Sequence, residues 1–188
     1  MNLIFGTPLR MSLSKALTHA GVVFLGNIET DNMDEYKNML TELPSLFQES
    51  ALLDRMHGFI KGWDIPPMQP GLKISGWALN TEYFCTVLHL LREDMSYRAI
   101  VDQIVEVSDG AYERHVEAVK KLTTAFLKLL FPHVKSVEDI NRLQFKTYCL
   151  QPAVKMRKIV QLQLEELDPK EYKKEEKQMP TFSLRKDV

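Results

Sequence analysis

ESALLDRMHGFIKGWDIP, Glu49–Pro66, joins a short apolar helical turn to a strand-like segment and places Asp54-Arg55 at the junction. Ser50 is a favourable N-cap for the turn ALLDRM. HGFIKGW alternates loosely and is bounded by glycines, which suits a short strand. An arginine between the two points out of the domain. Upstream, GVVFLGNIE (Gly21–Glu29) is an apolar run ending on the amide of Asn27. Such a run is consistent with a buried strand of a parallel sheet, and periodicity alone leaves a buried helix segment open. Asn27 then stands at the carboxyl end of a strand, where open α/β sheets bind ligands; the plainer alternative is a turn-forming asparagine bonded to its own backbone.

Before this stretch, Met33, Tyr36, Met39 and Leu40 fall at helical spacing until Pro44 interrupts. SLSKALTHA is either a helical turn or the arm of a hairpin. After it, Pro66, Pro67, Pro70 and Gly71 make a stiff connector that neither continues a helix nor pairs in a central strand. A subdomain boundary is placed there, and the chain beyond Gly71 reads as helices. Trp77, Phe84, Val87, Leu88 and Leu91 form a first apolar stripe; Tyr97, Ile100, Val101, Ile104 and Val105, entered by Ser96, form a second. Ser108 or Asp109 caps a long third helix with Tyr112, Val116, Val119, Leu122, Phe126 and Leu129 or Leu130 on one face. Ser136–Asp139 approximates a capping box. Pro152 is placed as the first residue of a final helix carrying Val154, Ile159 and Val160. From Asp168 the mixed charge run KEYKKEEKQMP reads as a solvated helix end or linker.

The expected fold is mostly α. Residues 1–70 hold part of an α/β core with one or two parallel strands, 71–167 a bundle of helices, and 168–188 a charged linker or tail.

Composition narrows the function. In 188 residues with 45% hydrophobic content there is enough apolar material for one domain or two small ones. With 24 basic against 25 acidic residues the chain as a whole projects no field towards nucleic acid or an anionic membrane. Cys85 and Cys149 have no CxxC or metal-ligand spacing and read as buried free thiols of a reducing compartment. The N-terminus lacks the order of a secretory signal, and no run of about 18 apolar residues spans a bilayer. A cytoplasmic protein without a membrane partner is expected.

LLDRMHGFIKGWDIP resembles the ATPase region of the Lon-like AAA+ protein of bacterial BREX phage-defence systems, where a run of the form LDR-H-aromatic-GW-IP is a hallmark. QPAVKMRKIVQLQLEEL, Gln151–Leu167, resembles the same family's P-A-x-x-M-R helix in its lid subdomain. The resemblance runs over roughly residues 20–167. It implies that residues 1–70 are the C-terminal part of the AAA+ core and 71–167 the lid. It also implies a parent protein that forms a homo-oligomeric ring, uses ATP and magnesium, and has DNA as a possible partner.

The resemblance gives three residues roles. Asn27 matches sensor 1, an amide that orients the attacking water or touches the terminal phosphate. Arg55 matches the arginine finger, a cation lent by one subunit to the charge on a phosphoryl group held by another; otherwise it makes an exposed ion pair with Asp54 or Glu49. Arg157 matches sensor 2, coupling the lid to the phosphates; otherwise it snorkels beside an apolar face. His57 reads as a structural hydrogen-bonding residue, and Trp63 and Trp77 as core or interface packing.

The phosphate-cradling string G-x-x-x-x-G-K-[ST] does not occur, nor does an apolar strand ending in the acidic pair that holds magnesium. The Ser-Lys dyad of a Lon-type protease domain, which would follow the lid, is likewise not among these residues. The chain therefore reads as a fragment of a Lon-like AAA+ ATPase that contributes sensor, finger and lid elements, is not active alone, and takes no cofactor alone. The alternative is a stand-alone helical interaction or DNA-binding module, with Lys120, Lys121, Lys128, Lys155, Arg157 and Lys158 as its basic patch.

Overall fold

The computed structural model describes residues 2–5, 21–26, 37, 39–41 and 43–186. The chain is mostly helical, as expected, with two small sheets among the described residues. Strands β1 (Asn2–Phe5), β2 (Val22–Leu25) and β3 (Gly58–Ile60) lie in the order β2-β1-β3. Both pairings are antiparallel, with Asn2 opposite Leu25 on one side and Ile60 on the other. This corrects the parallel pairing expected from VVFL. Val22 and Phe24 pack on the core while Val23 and Leu25 stay exposed, so the unbroken apolar run is covered on only one face. An antiparallel sheet tolerates that arrangement, whereas a parallel one is covered on both faces.

Pro44 opens a 3-10 turn, Ser45–Gln48, that leads into α1 (Ser50–Leu53). The cap position of α1 is Glu49 rather than Ser50. Leu53, Met56 and Phe59 are buried along this stretch. The proline connector then leaves the body of the protein: residues 63–83 are all exposed. Helix α2 (Thr81–Arg92) is capped by the Asn80 side chain, which accepts the Tyr83 N–H at 3.0 Å, and it buries no residue fully. Trp77 is fully exposed rather than part of an apolar stripe.

Helix α3 (Ser96–Ile104) buries Tyr97, Ile100, Val101 and Ile104 as its spacing predicts. The expected all-helical course then breaks. β4 (Val105–Val107) pairs antiparallel with β5 (Phe182–Leu184), so the charged C-terminal segment returns to the body instead of trailing from it. Ser108 is engaged in that junction through Thr181, and the turn passes through Gly110 at φ +69° before Tyr112 caps α4 (Glu113–Leu130). The cap is therefore neither Ser108 nor Asp109. The buried face of α4 carries His115, Ala118, Val119, Leu122, Thr123, Thr124 and Leu127.

The capping box at Ser136 and Asp139 forms. Helix α5 (Arg142–Phe145), a π turn (Lys146–Leu150) and α6 (Gln151–Leu167) follow one another in αR conformation as a single rod. Pro152 supplies no N–H and its ring crowds the carbonyl four residues back, which accounts for a widened turn at this point. Helix α7 (Pro169–Tyr172) then buries Tyr172.

Two apolar clusters result. One gathers α3, α4, the π turn and the start of α6; the other gathers Met39, Leu40, Leu53, Met56 and Phe59 with Ile159, Val160, Leu164 and Tyr172. Helix α6 belongs to both, so the division expected at residue 70 does not separate the cores. Cys149 is buried, and burial pushes its thiol up to about 12. Cys85 is free but exposed, contrary to expectation.

Candidate functional site

β3 crosses α6 at Gly58, where a Cβ would lie 2.9 Å from Met156 Cβ. That close approach brings the ALLDRM turn onto the neighbouring residue of the helix, Arg157. Arg157 is fully buried. Its Nη2 donates to Asp54 Oδ1 at 2.9 Å, its Nη1 to the carbonyls of Asp54 (3.1 Å) and Met56, and its Nε to His115 Nδ1 at 2.9 Å. Asp54 is buried as well, and its second oxygen accepts from Tyr112 at 2.8 Å and Arg114 at 2.6 Å.

These bonds settle the protonation of His115. Because Nδ1 accepts from a guanidinium, the proton sits on Nε2 and is donated to the Lys177 carbonyl at 3.0 Å. Burial, followed by the adjacent Arg157 charge, lowers the His115 pKa to about 4. Lys177 Nζ lies 3.7 Å from the centre of the Tyr112 ring, which meets the His115 ring edge-on. Burial likewise pulls the Arg157 pKa down, opposed by Asp54, but a guanidinium stays protonated throughout the working range.

Arg55 lies between two buried neighbours and is itself exposed. Its guanidinium turns back to the Ala51 carbonyl, and the carboxylate of Asp54 faces Arg157 and Arg114 instead. A cleft of about 180 Å³ opens beside it, lined by Asp54, Arg55, His57, Arg114, Glu117 and Lys121 among others. Glu117 is drawn to Arg98 at 2.7 Å, which holds its carboxyl below the usual range. Burial and then Lys121 lower His57 to about 4, so it adds no charge near neutrality. The cleft thus carries the side chains of Arg55, Arg114 and Lys121, with Arg114 paired to Asp54 inside it and Glu117 drawn away to Arg98.

Of the three expected site residues, Asn27 lies outside the described residues. Arg55 and Arg157, although 102 positions apart by their numbers, are brought into one structure through Asp54. Asp54, Tyr112, Arg114 and His115 were not anticipated. A signal did exist for two of them: Asp54 interrupts the apolar string Leu52-Leu53-Asp54-Arg55-Met56, and His115 shares a helical face with Ala118, Val119 and Leu122. The six residues of the alternative basic patch do not make one surface, since Arg157 is buried and Lys120 pairs with Asp102 at 2.7 Å. Among the described residues no group of three or more His, Cys, Asp or Glu forms a metal cluster, and no helix is long and apolar enough to cross a membrane.

Residues 9–178, which include this whole cluster, match the sequence model of the family described as Lon-like protease BrxL-like, ATPase domain. The chain belongs to that family. The Lon-like protease BrxL of Escherichia coli O9:H4 (strain HS) is 29% identical over 156 residues, covering 81% of this chain and 22% of the relative. That of Bacillus cereus (strain H3081.97) is 29% identical over 128 residues, covering 66% of this chain and 19% of the relative. The chain thus spans about a fifth of the length of these BrxL proteins. As a piece of a BrxL-like ATPase domain it carries no phosphate-cradling string, and the buried donors of Arg157 are engaged inside the protein. The described residues do not by themselves fit a complete nucleotide–magnesium site.

Proposed function

We propose that this chain is the part of a BrxL-like ATPase that offers an arginine to a nucleotide bound elsewhere, with Arg55 as the arginine finger. The observation that carries the reading is the placement of Arg55: exposed at the rim of a cationic cleft, between two residues locked into the protein. An arginine there stabilises negative charge on phosphoryl oxygens without binding nucleotide on its own. Asn27 is assigned the sensor-1 role, and residues 71–167 the role of the lid. ATP and magnesium belong to the longer parent protein, which works in phage defence as a homo-oligomeric ring in the cytoplasm with DNA as a possible partner. The large apolar side chains exposed along the proline connector and α2, including Met68, Ile74, Trp77 and Leu90, supply a surface for another copy to cover.

Light scattering across a concentration series, with and without ATP and magnesium, alongside a fluorescent-ATP titration, tests this. Concentration-dependent assembly without saturable nucleotide binding is expected. Saturable ATP binding by a monomer would overturn the reading, because the chain would then be a complete nucleotide site of another kind.

A further inference from the structure

Arg157 matches the family's phosphate-sensing arginine in sequence, yet its surroundings point to a different task. Its guanidinium is fully buried and makes four hydrogen bonds, to the Asp54 carboxylate, the carbonyls of Asp54 and Met56, and His115. The two carbonyls stand immediately before and after Arg55. The carboxylate it grips holds Arg114 by its other oxygen, and both Arg55 and Arg114 line the same cleft of about 180 Å³. Helix α6, the turn between α1 and β3, and α4 all meet at this one side chain.

We infer that Arg157 is a positioning residue: through Asp54 and the backbone on either side of Arg55, it sets Arg55 and Arg114 together on one cleft so that a polyphosphate meets two guanidiniums. Arg157 does not itself touch phosphate. The inference rests on the reading of Arg55 as a phosphate-facing residue. It adds Arg114 as the second cation and reassigns Arg157. With Arg114 held by Asp54 and Arg55 turned back to the Ala51 carbonyl, both guanidiniums are partly ordered before an anion arrives, so less side-chain freedom is lost on binding. Lysine at position 157 keeps the charge but has no planar fork to reach a carboxylate, two carbonyls and an imidazole together.

Two nuclear magnetic resonance measurements on the 188-residue chain test the inference. In the first, amide exchange is followed in the wild type, Arg157→Lys and Asp54→Asn. The Arg55 and Met56 amides donate to Leu52 and Leu53 at 3.1 and 2.9 Å and report on the turn. Their exchange should rise by about tenfold or more beyond any global loss, while the Phe131 amide of the other core follows global stability alone. Should every amide shift together, Arg157 is a general structural residue and the inference fails. Asp54→Asn keeps the volume and an acceptor, so it serves if Arg157→Lys does not fold.

In the second, inorganic tripolyphosphate is titrated while the arginine Nε–H resonances are observed. Arg55 and Arg114 should respond together, each response weakening when the other is changed to alanine, and Arg157 should stay still. A direct response at Arg157 would make it a phosphate ligand and overturn the inference. No response at Arg55 or Arg114 would overturn the phosphate-facing reading of the cleft, while the exchange experiment still judges the positioning of Arg55 separately.

Discussion

At the scale of single residues, the Asp54–Arg157 pair is the costliest to disturb. Both side chains are removed from water; removing Asp54 leaves Arg157 charged with no carboxylate partner, and removing Arg157 leaves Asp54 Oδ1 without its donor while Oδ2 keeps Tyr112 and Arg114. Arg157→Met is expected to lower stability by about 3–5 kcal/mol in chemical denaturation. The double variant Asp54→Leu with Arg157→Met should lose less than the sum of the two single variants, because neither buried charge remains and the Arg114 it releases is half-exposed to water. His115 predicts a pH dependence. Its folded pKa of about 4 lies below the unfolded value of 6.5, so the unfolded chain takes up the proton first as pH falls. The stabilisation is therefore complete above about pH 6.5 and is lost between there and about pH 4, by roughly 2–3 kcal/mol. Urea midpoints at intervals across that range should show the loss in the wild type and a flatter profile in His115→Gln. Arg55 and Arg157 stood out as candidate site residues from their motifs. That Arg157 would be spent on Asp54 was not visible there, because the partner lies 103 residues away in sequence.

At the scale of elements, local rules worked where the signal was local. The Ser136–Asp139 capping box and the buried stripe of α3 follow from spacing alone. The N-terminus of α4 did not follow, since Ser108 is engaged with Thr181 across the β4–β5 junction and a tertiary partner outcompetes a local cap. The crossing of β3 over α6 makes a prediction of its own. A Cβ at position 58 would meet Met156 Cβ at 2.9 Å and Leu122 Cδ1 at 3.1 Å, and the first of these is fixed to the helix backbone. Gly58→Ala should cost about 1–3 kcal/mol through overpacking. A denaturation midpoint equal to that of the wild type would mean that the two elements are not in such close contact.

At the scale of the whole molecule, the C-terminal segment is structural. Tyr172 is buried in the second core, the Lys177 carbonyl accepts from His115, and β5 completes the sheet with β4. A chain ending at Leu167 should therefore lose several kcal/mol of stability, since burying one large side chain alone is worth about 1.5–3 kcal/mol. Thermal unfolding of the two lengths in parallel would check this; coincident transitions would show the segment to be the dispensable tail that its charge suggests. The proline connector shows the reverse relation. Its apolar residues resemble core material by composition, yet residues 63–83 are exposed throughout.

By itself the sequence determined the helical character of most of the chain, the break at the prolines, the membership of the Lon-like family and the candidacy of Arg55 and Arg157. Each of these depends on residues close together in the chain: periodicity, caps, chain breakers and contiguous motifs. Only the tertiary structure decided the antiparallel pairing of the small sheets, the return of the charged C-terminal segment, and the burial of Arg157 between Asp54 and His115. Strand direction and ion-pair partners are set by which distant segments share a core, and a short apolar run or a single arginine looks the same in sequence whichever partner it meets.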